Sequence, residues 1–381
     1  MSTIQVLKPK FHIEECLEQV RQCLEKGWTG SGYKTVEFEQ KWKEYTGHPH
    51  ACYLNSNTSG LHLAVNILKR RYGWQDGDEI ITTPITFVAS NHAILYENMV
   101  ARFADVDEYL CLDPEDVEKK INEKTRAVMF VGYGGRVGQL EKIIALCKKH
   151  DLRLILDAAH MAGTRVNGVT PGTWDGVDVT VYSYQAVKNL PTGDSGMICF
   201  ADGELDEQCR KVSWMGINKD TYARTSSEGS YKWNYGVDYV GFKYNGNAIM
   251  AGIALAQLPY LDEENARRRQ IAAMYDAAFA ENPNIRIIRA NYPQECSYHI
   301  YEIVVPDREG LLSELAKNDI YGGVHYRDNT EFSMYRYAQG TCPKAHAVTQ
   351  NIITMPLHMY LTDEDVARIA QIVNAFTSAG K

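Results

Sequence analysis

From Ala51 to Phe200 the chain repeats one pattern, a short apolar run followed by a stretch of helical periodicity. Candidate strands fall at residues 51–54, 79–82, 101–104, 126–131, 152–156, 177–183 and 196–200. Candidate helices lie between them at 58–71, 88–97, 114–122 and 138–150. Apolar runs of this length suit strands buried on both faces, and crossovers long enough to hold a helix join strands that run parallel. The pattern predicts an α/β unit whose mainly parallel central sheet is covered by helices on both sides.

The pattern changes at about residue 250. Upstream of the alternation, Ile13, Cys16, Leu17, Val20 and Leu24 recur at helical spacing and predict an amphipathic helix over 12–26, with a second helix from Val36 through Phe38 and Trp42. Downstream, a helical stretch runs from Ala251 past Pro259 into a charged face. A strand over 298–305, a helix over 311–317, a strand over 323–326 and a final helix follow. Thr362-Asp363-Glu364-Asp365 opens that last helix as a capping box. A chain of 381 residues has room for two such units. The expected division is a large α/β domain over 1–250 and a smaller C-terminal α+β domain over 251–381.

Composition removes several function classes. The net charge of −8, with no lysine- or arginine-rich block to offset it, argues against nucleic acid, whose binding needs a basic face. Nine cysteines are scattered without a C-x-x-C pair, so no metal is expected and free thiols of a cytoplasmic protein are the reading. No window approaches 18 apolar residues and the first residues lack a signal-peptide core, so no membrane association is expected. His48-Pro49-His50 reads as a surface turn.

The chemistry gathers at strand ends. The run Leu152, Leu154, Ile155, Leu156 ends in Asp157-Ala158-Ala159-His160, and the strand carrying Val177, Val179 and Val181 leads to Ser183 and Lys188. Open α/β sheets bind ligands at that carboxyl edge. A lysine after one strand and an acid ending another suit pyridoxal 5′-phosphate (PLP). The amine forms a Schiff base, and the acid keeps the ring nitrogen protonated so that the ring acts as an electron sink. Alone, Lys188 reads as a solvated loop charge and Asp157 as a capping acid; together they point to an enzyme. Asn55-Ser56-Asn57-Thr58-Ser59-Gly60 ends a strand and opens a helix, so Thr58 and Ser59 are candidates to hold the phosphate, with Ser183 adding a hydroxyl. In isolation the same residues read as an ordinary helix cap. Phe87 is a candidate to stack on the ring, with core packing as the plainer reading. The segment Gly132 to Gly138 misses G-x-G-x-x-G because Val137 holds the third glycine position, and neither a phosphate-loop motif nor H-E-x-x-H is present.

These residues, in this order, resemble the DegT/StrS family of PLP-dependent sugar aminotransferases, of fold type I (aspartate aminotransferase-like). The resemblance covers nearly the whole chain. Trp28-Thr29-Gly30-Ser31-Gly32 with Val36-Glu37-Phe38-Glu39 is similar to the family's opening, and Asn57 to Ala64 to its phosphate-holding helix start. Thr86 to Ser90 matches the segment of the stacking aromatic. Asp157 to His160 matches the ring-nitrogen acid and the residue beside the ring, and Ser183 to Leu190 the Schiff-base segment. Gly241-Phe242-Lys243-Tyr244-Asn245 resembles a stretch that reaches the phosphate of a neighbouring subunit, which implies a homodimer with shared active sites and Lys243 as a cofactor contact. Tyr298 to Tyr301 and Gly323 to Tyr326 are similar to small-domain segments, the second implying His325 and Tyr326 as substrate contacts. The chain departs from the family at Asp194-Ser195-Gly196, where acid-Gly-Gly is usual, at Leu156, where an acid is frequent, and at Lys243, where many members carry asparagine.

The resemblance implies amino transfer from L-glutamate to a keto-sugar, above all a nucleotide-linked keto-deoxysugar, through an internal aldimine at Lys188. A cyclitol or other non-nucleotide ketone is the alternative substrate, and a non-catalytic regulator on the same fold is a further alternative. Residues 214–238, with Trp214, Tyr222, Tyr231, Trp233 and Tyr235, are expected either to cover the substrate or to pack in the dimer.

Overall fold

A computed structural model describes residues 3–218 and 235–379. The predicted alternation becomes strands β1 (His50–Leu54), β2 (Glu79–Thr82), β3 (Val100–Phe103), β4 (Thr125–Val131), β5 (Arg153–Asp157), β6 (Val179–Ser183) and β7 (Gly196–Phe200). They form one sheet in the order β1-β7-β6-β5-β4-β2-β3, with β7 alone antiparallel to its neighbours. Side chains of β6 and β7 are buried at every position, as expected of strands covered on both faces. Because β7 runs against both β1 and β6, those two strands point the same way as β5, β4, β2 and β3, and six carboxyl ends share one edge of the sheet.

The helices α1 (Ile13–Glu25), α2 (Tyr33–Thr46), α3 (Asn57–Tyr72), α4 (Ala89–Leu95), α5 (Pro114–Lys120), α6 (Leu140–Lys149) and α7 (Gly203–Val212) frame this sheet. Helix α3 is buried from Ser59 to Leu68, with the Ser56 hydroxyl accepting from the Ser59 N–H at its start and Gly73 in the left-handed region at its end. It lies so close to β6 that a Cβ on Gly60 would sit 2.5 Å from Val181 Cγ1. The stripe expected on α1 is only partly covered: Cys16 and Cys23 are buried, whereas Ile13, Leu17 and Leu24 are exposed. His48 is also a correction. It is buried, its Nε2 3.1 Å from the Tyr182 hydroxyl, because β1 begins two residues later and draws it inward.

A second core gathers α9 (Leu261–Phe279), β8 (Arg286–Ile287), β9 (Tyr301–Val304), α10 (Arg308–Lys317), β10 (Ile352–Met355) and α12 (Asp363–Ala379), with β10-β9-β8 antiparallel. The capping box forms at α12: the Asp365 N–H donates to Thr362 Oγ1 at 3.1 Å, and the Thr362 N–H to Asp365 Oδ2 at 3.2 Å. Packing crosses the 250/251 division at several places. Helix α8 (Ala248–Gln257) spans it and lies against α1 and α2, while Tyr335 and Ala345 of the later chain, the second on α11 (Pro343–Asn351), pack into the first core. The segment expected as a strand at 323–326 contributes one bridge, Gly323 to Thr354. A fully buried ion pair, Arg136 to Glu302 at 2.7 Å, ties the large sheet's loops to β9. All nine cysteines are free and buried, and no described helix is long and apolar enough to cross a membrane.

Candidate active site

Loops leaving the shared carboxyl edge enclose a cavity of about 450 Å3, with Lys188 and Asp157 in its wall. Asp157 ends β5 and is 4% exposed. Its Oδ2 accepts from the Ser90 hydroxyl at 2.7 Å, and its Oδ1 from the Ala159 N–H at 3.1 Å and the Asn57 amide at 3.4 Å. Burial pushes this carboxyl upward, and the three donors and the Lys188 charge pull the other way. The result is a buried acid held in place by neutral donors, which a cation in the cavity would stabilise.

Lys188 follows β6 through a turn closed by its own N–H donating to Gln185 O at 2.8 Å. Burial lowers its amine to about 8, with Asp157 opposing. At neutral pH about a tenth of such an amine is uncharged, against well under a thousandth of an ordinary lysine, so it is available as a nucleophile. The Gly134 N–H donates to His160 Nδ1 at 3.1 Å, so the ring proton sits on Nε2, which faces the Tyr326 hydroxyl at 3.1 Å. Burial, then the Lys188 charge, hold His160 well below the usual histidine range.

Thr58 and Ser183 line this cavity, and Phe87 stands at its rim with 61% of its surface exposed. An exposed phenyl ring at the mouth of a cavity is free to stack on a planar ligand. His325 and Tyr326 also line this cavity, carried there by the backbone pairing of Gly323 with Thr354. Ser59 points elsewhere: its hydroxyl is 2.6 Å from Asn55 Oδ1, and it closes the first turn of α3. Lys243 is not with the others. It borders a separate cavity of about 810 Å3 beside Gly30 and Trp214, its ammonium 3.1 Å from the Trp214 ring centroid. Tyr222, Tyr231 and Trp233 lie outside the described residues.

Sequence reasoning did not single out Asn57, Ser90 or His299 as site residues, yet the first two hold Asp157 and the third approaches Lys188. Ser90 lies one helical turn beyond Phe87 and Asn57 beside Thr58, so proximity to the chosen candidates was the available signal. Gly135, at φ +93°, has its missing Cβ 2.2 Å from Ser297 Oγ. This glycine-rich segment therefore serves close packing beside the site. A separate trio, Asp328, Glu331 and His346, has ligand atoms within 4.8 Å of one another. Asp328 caps the turn at Thr330 and His346 pairs with both acids, so ordinary ion pairing accounts for it.

The donor set fits PLP: a buried carboxyl for the ring nitrogen, a nucleophilic amine, hydroxyls at a helix start and an exposed ring at the rim. The family described as DegT/DnrJ/EryC1/StrS aminotransferase matches residues 11–374. The spore coat polysaccharide biosynthesis protein SpsC of Bacillus subtilis is 32% identical over 372 residues, 94% of each chain. The solved structure of the aminotransferase TlmJ from Streptoalloteichus hindustanus superposes with a TM-score of 0.90 at 30% identity, covering 100% of both chains. Helicobacter pylori PseC, an aminotransferase involved in pseudoaminic acid biosynthesis, gives 0.89 at 26% identity, covering 99% of this chain and 100% of its own. Similar solved structures include one sugar aminotransferase in both a PLP form and a PMP form. The expected fold, a mainly parallel sheet in a fold type I transferase, is the observed one.

Proposed function

Because the chain belongs to the DegT/DnrJ/EryC1/StrS aminotransferase family, whose members are PLP-dependent enzymes, we propose that it transfers an amino group from L-glutamate to a nucleotide-linked keto-sugar. The observation that carries this reading is the placement of a buried acid, Asp157, and an amine lowered to about 8, Lys188, in the wall of one cavity. When bound, PLP draws electron density away from the carbon that carries the transferred nitrogen. The chain's own residues do the rest. Asp157 would hold the ring nitrogen in its protonated form, Thr58 and Ser183 would hold the phosphate, and Phe87 and His160 would flank the ring. Lys188 would hold the cofactor through its Nζ and would move a proton at that atom. His325 and Tyr326 would contact the substrate.

The shared-site part of the reading requires a homodimer. Helix α1 leaves Ile13, Leu17 and Leu24 exposed, and Val36, Val237 and Val240 are exposed as well, apolar surface that a second chain could cover. In such a dimer Lys243 serves the phosphate bound by the neighbouring chain. The nine buried free thiols support a cytoplasmic setting. The sugar class rests on the family and on relatives named for polysaccharide and pseudoaminic acid biosynthesis. The test is to incubate the PLP-loaded protein with L-glutamate and a panel of nucleotide-linked keto-sugars and free cyclitol ketones, reading 2-oxoglutarate and the aminated product by mass spectrometry. Amination of a nucleotide-linked sugar bears the proposal out. Turnover of a free ketone alone replaces the substrate class.

A further inference from the structure

His299 lies behind Lys188, and its orientation is fixed by a chain of partners that leaves only one assignment. Asn189 donates through Nδ2 to the Ser297 carbonyl at 2.8 Å and to Asn265 Oδ1 at 2.7 Å. A carbonyl only accepts, so Asn189 must present Oδ1 to its other neighbour, His299 Nδ1, at 3.0 Å. The ring proton therefore sits on Nδ1, and Nε2 offers a lone pair toward Lys188 Nζ at 3.5 Å, the outer limit of a hydrogen bond. Asn265 is itself held by its amide donating to Ala162 O at 2.9 Å. Ser297, Asn265, Asn189 and His299 are 0%, 0%, 4% and 1% exposed, so water does not compete for these bonds. Tyr298, just before the histidine, has φ +41°, a left-handed conformation that non-glycine residues avoid and that concentrates at functional sites.

We propose that His299, locked in one tautomer by Asn189, is a positioning residue that accepts a hydrogen bond from the Lys188 amine whenever that amine is not bonded to the cofactor. The inference rests on the reading of Lys188 as the cofactor-bearing lysine. In each half of a transamination that amine is released and must stay aimed at the same atoms before it bonds again. A neutral acceptor suits that task, because a protonated ring would repel an ammonium. The other titratable groups facing Lys188 are Asp157, His160 and His325, and none of them is altered by the variants below.

The test uses His299→Phe, which removes the acceptor, and His299→Gln, whose amide oxygen restores one. Both are prepared without cofactor, and the reactivity of Lys188 toward acetylation is followed against pH by peptide mass spectrometry. An acceptor bonded to an ammonium stabilises the charged form. The Phe variant should therefore shift the reactivity midpoint downward by at least about half a pH unit, with Gln holding it near the wild-type value. Should the Phe variant prove unstable by circular dichroism, Asn189→Ala, which frees the tautomer, is read in the same way. Unchanged midpoints in folded Phe or Asn189→Ala protein overturn the proposal. Uptake of PLP by the same samples is scored separately. If the wild-type protein takes up none at Lys188, the reading of Lys188 fails even where the midpoint shift appears.

Discussion

The cavity at Lys188 holds about 450 Å3 and lies at the sheet's carboxyl edge, walled by strand ends, helix starts and the loops that join them, whereas the cavity at Lys243 holds about 810 Å3 and is walled largely by loops, including the glycine-rich residues 27–32. In the first, Asp157 and His160 have fixed partners and little access to water, and the Tyr326 hydroxyl is held by His160. In the second, Lys243 is exposed and its close partner is an aromatic face, a contact that fixes position loosely. The difference teaches where each kind of selectivity can reside. Rigid, desolvated groups stabilise charge without reorganising, so bond-making chemistry belongs to the smaller cavity. Loop walls with an exposed cation suit recognition of an anionic group, and their shape varies freely with sequence.

Breaking the rigid site should have the largest effects. Lys188→Ala is expected to abolish covalent cofactor attachment and lower turnover by at least about 1,000-fold, read by absorbance and product formation. Asp157→Asn keeps the shape and removes the charge that holds the ring nitrogen protonated; turnover should fall about 100-fold with the fold intact by circular dichroism. The looser site should respond more mildly. Lys243→Ala is expected to weaken cofactor retention about tenfold, and increasingly so at high salt, measured by dialysis against graded buffers. Mixing refolded Lys188→Ala and Lys243→Ala chains sharpens the contrast. If Lys243 serves the neighbouring chain, mixed dimers carry one site that retains cofactor as the wild type does; if it serves its own chain, every site that keeps Lys188 stays weakened, which dialysis of the mixture distinguishes.

The smallest effect concerns stability. In the unfolded chain the Lys188 amine titrates near the ordinary lysine value, and in the folded chain at about 8. Between these values the unfolded state binds more protons, so stability rises with pH across that window and Lys188 opposes folding below it. Lys188→Met should raise the stability of the cofactor-free protein at pH 7 by about 1–2 kcal/mol, a value discounted because the side chain is only half-buried. Thermal melts at pH 7 and pH 10 read it, and the gain should shrink at the higher pH.

The contrast between the cavities also separates what the sequence revealed from what it hid. Asp157 and Lys188 were legible because each follows an apolar run, and strand ends are where a polar residue announces itself. The strands at 79–82 and 196–200 were placed to the residue for the same reason. Ser90 and Asn57 were hidden because they hold Asp157 across 67 and 100 positions of sequence, and only the sheet order brings them together. His299 looked like one more small-domain residue until Asn189 oriented it. Strand β10 was missed because the four residues between Asn351 and Pro356, three of them apolar, are too few to distinguish a strand from a helix end. The exposed side of α1 has no signature in periodicity, which reports an apolar face and not what covers it.

The most direct test of the central claim is the absorbance spectrum of the PLP-reconstituted protein before and after L-glutamate, beside Lys188→Ala. The account predicts a visible band from the lysine-bound cofactor that glutamate converts to the pyridoxamine phosphate spectrum with release of 2-oxoglutarate, and no such band in the variant. A wild-type protein that takes up no PLP, or a band that persists unchanged in Lys188→Ala, would contradict it.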